Sequence, residues 1–295
     1  MELRHLRYFL IVAEELHFGR AAARLHITQP PLSQQIRQLE DELGVPLFQR
    51  TKRRVQLTDA GRAFQEAAQQ MLDQARLAVR TAQRAHLGEI GPLTLGFVGS
   101  AMAGVFSEIL LAFRRRFPEV ELTLQELTTA QVIHSLREGY IDIGILHPPI
   151  AQEPFAFEMM GREPFVVVLP KTHRLAAQRR ISLRDLVHET VVLVPRDLGP
   201  EVEDDVVEFC QRVGCYPQRL SGATQMLTVI GLVAAGIGLS LVPASMRTVR
   251  WKGVVYRPLQ ELGIQVELMA AWRHDKESAV IKRFIGVVRE MIKTP

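Results

Sequence analysis

The sequence predicts an α+β protein in three parts: a small N-terminal helical module closed by a hairpin, one long linker helix, and a C-terminal two-lobed α/β domain. Three observations predict it. Apolar residues recur at three- and four-residue spacing from Leu3 to Leu43, an unbroken helical pattern runs from Thr58 to about Leu87, and strand and helix signals alternate beyond Pro92. A chain of 295 residues exceeds one comfortable core, so two or three domains are expected. Their expected bounds are 1–58, 59–90 and 91–295. The last divides into a first lobe of about 91–161 and 268–295 and a second of about 162–267.

In the first part, Leu3, Leu6, Leu10 and Ala13 form one apolar helical face. Phe18 introduces a shorter stripe of Ala21, Ala22 and Leu25, which His26 and Ile27 break. Thr28 is an N-cap candidate, and Pro30 and Pro31 suit a first turn, where a missing backbone donor costs little. The helix that follows spans about 29–42, with Leu32, Ile36, Leu39 and Leu43 inward and Ser33, Gln34, Arg37 and Gln38 outward. Val45 to Leu57 reads as two short strands around a basic turn, and Thr58 is a second N-cap candidate.

The long helix measures roughly 45 Å at 1.5 Å per residue, and a lone helix of that length needs a partner. Phe64, Ala68, Met71, Ala75, Ala78, Ala82 and Ala85 hold a heptad seam, mostly of alanine, along which a second helix can approach closely. The same pattern also fits a helix lying on its own domain's core. Gly88 to Pro92 ends it and marks the clearest boundary.

Beyond Pro92 a parallel α/β pattern is expected. Strands are predicted at 93–98, 120–127, 141–146, 164–169, 190–194, 239–242, 254–258 and 264–272. Helices are predicted at 101–117, 131–138, 201–213, 224–235 and 276–292.

Composition narrows the function classes. No apolar run reaches the roughly 18 residues of a membrane span, and the charged start offers no secretory stretch, so a cytoplasmic protein is expected. A formal charge of +4 permits nucleic-acid binding without arguing for it, whereas Arg50, Lys52, Arg53 and Arg54 concentrate four cations in five residues. Cys210 and Cys215 are too few for a disulfide framework and lack metal-ligand spacing, so no metal is expected. Cys210 shares an apolar face with Val206, Phe209 and Val213 and reads as a small buried hydrophobe. No phosphate-binding glycine loop, Gly-x-Ser-x-Gly elbow or histidine–carboxylate cluster is visible, and Ser100 has no evident base partner, so neither enzyme chemistry nor a cofactor is expected.

The segment Ala21 to Ile36 does suggest chemistry. Small alanines let two helices cross closely, and the second then presents its N-terminal end to a major groove, as in a helix-turn-helix. Thr28, Gln29, Pro30, Pro31, Ser33, Gln34 and Arg37 are its candidate DNA-binding residues. Gln29, Ser33 and Gln34 suit base edges, and Arg37 suits phosphate or guanine. The basic turn is either a solvated charge run or a wing, with Arg53 or Arg54 entering a minor groove and Arg50 or Lys52 meeting phosphate.

Phe18 to Leu43, the following Gly44-Val45-Pro46-Leu47-Phe48-Gln49-Arg50, and Leu57-Thr58-Asp59-Ala60-Gly61 resemble the signature of LysR-type transcription regulators, in family order and spacing. The resemblance covers essentially the whole chain. It implies a winged helix-turn-helix, a linker helix, and an effector domain similar to type 2 periplasmic binding proteins. By resemblance Gln29, Pro30, Ser33, Gln34 and Arg37 occupy the recognition helix and Arg50, Arg53 and Arg54 the wing. It further implies operator DNA, a small-molecule effector, self-association as a tetramer of two dimers, and RNA polymerase as partners.

In the C-terminal part, strand 93–98 runs into Gly99-Ser100-Ala101 at a predicted helix start, where backbone N–H groups and a hydroxyl suit a small anion. Thr128 and Thr129 repeat the device after the next strand, each being either a ligand contact or a plain N-cap. His147 follows a third strand and is either a structural histidine or a ligand group, while Gly199, Pro200 and Glu201 could wall the second lobe. Relatives that recognise muconate-type dicarboxylates often carry an arginine near the position of His147, and this chain does not. The cysteine pattern of peroxide-sensing relatives is also absent. The expected function is a transcription regulator controlled by a small molecule, a small carboxylate, bound between the lobes. A cytoplasmic binding protein without gene regulation is the competing class, against which the N-terminal helical module argues.

Overall fold

The computed structural model describes residues 1–51, 54–148, 154–194, 218–221, 223–261 and 265–293. Two compact units are present, Met1–Arg84 and Ala85–Pro295.

The first unit opens with α1 (Leu3–Glu15), α2 (Phe18–Arg24) and α3 (Gln29–Leu43). Leu16 ends α1 in the left-handed region at φ 45°, and His26 turns the chain between α2 and α3 at φ 54°. The His17 ring caps α2 by accepting from the backbone N–H groups of Gly19 and Arg20 at 3.1 and 3.2 Å. Thr28 occupies the cap position of α3, yet its side chain makes no capping bond.

An antiparallel hairpin follows, β1 (Phe48–Arg50) against β2 (Val55–Leu57). Glu40 fastens it to α3: its carboxylate accepts from the N–H groups of Leu47 and Phe48 at 2.9 and 3.0 Å and from Arg50 at 2.6 Å. The second helix signal begins where expected, with Thr58 Oγ1 accepting from Gly61 N at 2.8 Å and donating to the Pro46 carbonyl at 2.8 Å. Gly61 admits no side chain, because a Cβ there would lie 2.1 Å from the Leu47 carbonyl oxygen. The helix so capped is α4 (Asp59–His86). Phe9, Leu32, Ile36, Leu39 and Leu47 fill the unit's core.

In the second unit, β3 (Gly91–Phe97), β4 (Val120–Glu126) and β5 (Ile143–Leu146) pair in parallel, with α5 (Val105–Arg116) and α6 (Thr129–Glu138) as connections. Within the large sheet the parallel expectation holds only for these strands. The 16-residue β6 (Phe155–Pro170) and β11 (Gln265–Arg273) run antiparallel to each other, β11 is antiparallel to β5, and the seven-stranded sheet is mixed. The second lobe adds β9 (Ser240–Pro243) and β10 (Val254–Pro258), both antiparallel to β6, and a parallel pair of β7 (Thr190–Leu193) with β8 (Gln218–Ser221). Helices α7 (Met226–Ala234) and α8 (Ala279–Lys293) complete the described α-helices, and a 3₁₀ turn, Ala244–Thr248, follows β9.

The continuous helix expected at 101–117 is replaced by a 3₁₀ turn at Gly99–Ala103, a break at extended Gly104, and then α5. The strand expected at 164–169 is the second half of β6, which starts nine residues earlier. The helix expected at 201–213, with Cys210, lies outside the described residues, as does Cys215.

The cores show why β6 is long. One core holds residues up to Met160 and resumes at Leu268. Along β6 beyond it, Phe165, Val167 and Leu169 enter a second core, and Val166 and Val168 enter a third on the opposite face, as strand alternation requires. Residues 161–164 of β6 and 267 of β11 therefore cross from one lobe to the other.

Candidate functional site

In the first unit, α3 buries Leu32, Ile36 and Leu39 and leaves Thr28, Gln29, Pro30, Pro31, Gln34 and Arg37 exposed, with Ser33 half-buried. Its outward face therefore gathers the predicted readers on one surface. His5 holds this helix to α1 through Gln35 at 3.1 Å, which leaves the residues near the N-terminal end free of that tie.

Among the described residues of the hairpin turn, Arg54 is exposed, and its backbone closes the turn by three bonds with Thr51. Arg53 and Lys52 lie outside the described residues. Arg50, the other expected wing residue, is already engaged within the unit. Its guanidinium is held by Glu40 at 2.6 Å and stacks over the Phe18 ring at 4.7 Å, so it braces the hairpin.

The seam on α4 divides. Phe64 and Ala68 pack into the core of their own unit, as the alternative reading allowed. Met71 is 40% exposed, Ala75 is half-buried, and Ala78, Ala82 and Ala85 are exposed. Only the portion from Met71 onward is available to a partner helix.

In the second unit a cavity of about 240 Å³ lies between the two lobes where the long strands cross. Ser100 and Ala101 from the 3₁₀ turn, Gly104 and Val105 from the start of α5, and His147 after β5 line one side. Met160 to Glu163 of β6, Pro243, Ser245, Val266 and Leu268 line the rest. Sequence reasoning missed β6 and β11 as walls. The charged pair Arg162-Glu163 in a largely apolar strand was the available signal.

The polar groups of the cavity are tied together. Buried Ser100 and His147 meet at 3.0 Å between Oγ and Nε2, and His147 Nδ1 lies 2.7 Å from the Glu267 carbonyl oxygen. Burial holds the His147 imidazole below the usual histidine range, because the charged ring would lose its hydration. Glu163 accepts from the Ser245 backbone N–H at 2.5 Å and hydroxyl at 2.9 Å. Arg162 pairs with the Glu267 carboxylate at 2.7 Å.

Several expected contacts are made differently, or fall away from this cavity or outside the described residues. Ser100 sits in a 3₁₀ turn and not at an α-helix start, since α5 begins only after Gly104. Gly99 faces the Glu126 side chain instead. Thr128 caps α6 in a reciprocal box with Gln131, the plain reading of that residue, and Thr129 is buried beside it. Gly199, Pro200 and Glu201 lie outside the described residues. Ser100 also has the base neighbour that its sequence context did not reveal, although a backbone carbonyl stands where a catalytic triad carries a carboxylate.

Among the described residues, no group of three or more His, Cys, Asp or Glu could hold a metal ion, and no helix is long and apolar enough to cross a membrane.

Residues 3–62 match the family model described as a bacterial regulatory helix-turn-helix protein of the lysR family, and residues 86–293 match the LysR substrate binding domain. The chain is 43% identical to the HTH-type transcriptional regulator AlsR of Bacillus subtilis (strain 168) over 287 residues, covering 97% of this chain and 95% of that protein. It is 37% identical to the regulator BudR of Raoultella terrigena, covering 97% and 99%. Among solved structures, CbnR, a LysR family transcriptional regulator, superposes with a TM-score of 0.89 at 28% identity, covering 98% of this chain and 100% of that one. Full-length CbnR complexed with its target DNA superposes with a TM-score of 0.86 at 27% identity, covering 99% and 100%.

Proposed function

The chain belongs to the LysR family of DNA-binding transcription regulators, and from that premise we propose that it reads an operator through α3 and the wing and is switched by a small carboxylate held between its C-terminal lobes. Family members are transcription regulators, not enzymes, so Ser100 and His147 serve as a ligand-binding pair. Gln29, Ser33 and Gln34 contact base edges, Arg37 a guanine or phosphate, and Arg54 with Arg53 the backbone or minor groove. The exposure of α3 and the likeness to CbnR on its target DNA support this half of the reading. The subunits pair through α4 from Met71 to Ala85, two pairs form a tetramer, and the protein acts in the cytoplasm with RNA polymerase as its final partner.

The observation that carries the effector half is the buried Ser100–His147 pair in a cavity walled by both lobes. The guanidinium of Arg162 lies on the same wall, paired with Glu267, and a ligand carboxylate would share or replace that partner. Such a ligand need not approach DNA. It must only bind one arrangement of the lobes more tightly than another, because equal affinity for both shifts nothing.

Thermal-shift screening of small carboxylates on the full chain tests this reading, followed by calorimetry on those that stabilise it. Ser100→Ala is expected to weaken carboxylate binding by about 1 kcal/mol, the size of one hydrogen bond, while operator affinity without ligand stays within twofold. Carboxylate binding as tight as wild type in Ser100→Ala would place the ligand elsewhere.

A further inference from the structure

Ser100 and His147 line the cavity, and behind them three groups stand in series: the Glu267 carbonyl, the His147 imidazole and the Ser100 hydroxyl, at 2.7 and 3.0 Å. A carbonyl oxygen has no proton to give, so Nδ1 of His147 is the protonated nitrogen and, in the neutral ring, Nε2 is an acceptor. The Ser100 hydroxyl therefore donates to His147 and offers the cavity lone pairs, not a proton. A carboxylate oxygen brought against Ser100 sets acceptor against acceptor.

One proton removes the conflict. With His147 cationic, Nε2–H donates to Ser100 Oγ, and the Ser100 hydroxyl rotates to donate to the carboxylate. Alternatively the ligand enters as the neutral acid and donates its own O–H to Ser100. Both routes place the same additional proton in the complex, and no bond other than those to hydrogen changes.

From this series of bonds we propose that the cavity takes a carboxylate only together with a proton, so that the effector is bound as the elements of its acid. The inference rests on the reading that the effector is a carboxylate in this cavity. The charged groups facing the pair are Arg162 and Glu163 from β6. Glu163 is hydrogen-bonded by Ser245 from the 3₁₀ turn after β9, and Arg162 is paired with the side chain of Glu267 from β11. Val105 of α5 and Leu268 of β11 add apolar wall. Burial holds the His147 imidazole below the usual histidine range, which favours its neutral form. An entering carboxylate supplies the counter-charge that makes the imidazolium tolerable there.

Calorimetry on the full chain with acetate and benzoate as probes, at pH 6, 7 and 8 and in two buffers of different ionisation enthalpy, counts the protons. Uptake approaching one proton per carboxylate is expected at the upper end, with affinity falling about tenfold per pH unit. His147→Gln, whose amide donates to Ser100 without a proton, is expected to bind with no uptake and no pH dependence. Should that variant fail to fold, wild-type uptake alone decides. Wild-type binding without proton uptake and with equal affinity at all three values overturns this inference and leaves the carboxylate reading standing. Failure of either probe to bind at any of them overturns the carboxylate reading itself, and this inference with it.

Discussion

Phe9→Ala is expected to destabilise the N-terminal unit by about 3–5 kcal/mol and to abolish DNA binding, while carboxylate binding by the C-terminal unit stays within twofold. Phe9 is fully buried, and its ring meets Phe48 of the hairpin at 5.3 Å and Phe64 of α4 at 5.1 Å. One side chain thus joins α1, the wing and the long helix, three elements whose relative placement the DNA reading needs. Truncation removes the transferred area and leaves a void that rigid helix backbones fill only in part. That loss is a large share of the roughly 5–15 kcal/mol by which a domain is stable. Denaturant unfolding followed by circular dichroism should split into an early N-terminal transition and an unshifted later one. A single unshifted transition would show that this aromatic cluster does not hold the unit together.

The double substitution Ala75→Glu with Ala82→Glu is expected to separate the subunits and halve the mass seen by light scattering. On the proposed interface these positions face a second α4, where four carboxylates would stand in a narrow apolar seam. Burying an unpaired carboxylate costs several kcal/mol, far above the worth of an alanine contact. The choice of positions matters. Ala68 belongs to the core of its own unit, so a charge there would unfold the module and report nothing about pairing. An unchanged mass for the folded double variant would exclude this stretch of α4 as the essential interface.

The N-terminal unit was largely legible because its information is local. Period, caps and the two prolines specify α1 to α4 within a few residues, and Thr58 caps α4 as its position suggests. What sequence did not reveal there was Glu40, whose carboxylate reaches the hairpin backbone and claims Arg50. Outward charge on a hairpin reads as available until its partner from another element is known.

The elements of the second unit were less legible. Strand direction leaves no mark on residue periodicity, so the antiparallel crossing strands were hidden in an α/β pattern. β6 was read as a half-strand because Gly161-Arg162-Glu163-Pro164 interrupts its apolar run at the crossing. Gly104 broke a helix whose apolar spacing continued on both sides. The cavity was only partly visible. Ser100 and His147 were nominated singly, but their meeting depends on strand order, and the third member of the series is a backbone carbonyl that no side chain advertises.

Binding of the full chain to a duplex recovered by selection from a random pool, compared with binding to a random duplex across a range of salt, tests the central claim most directly. Gln29→Ala is expected to lose about 1–3 kcal/mol on the selected duplex and almost nothing on the random one, since a base-edge contact carries sequence information. Arg54→Ala is expected to weaken both duplexes alike and to lower the salt slope by about one, as removal of a phosphate contact should. Equal losses on both duplexes for Gln29→Ala, or no selected duplex at all, would contradict the assignment of α3 as the element that reads DNA.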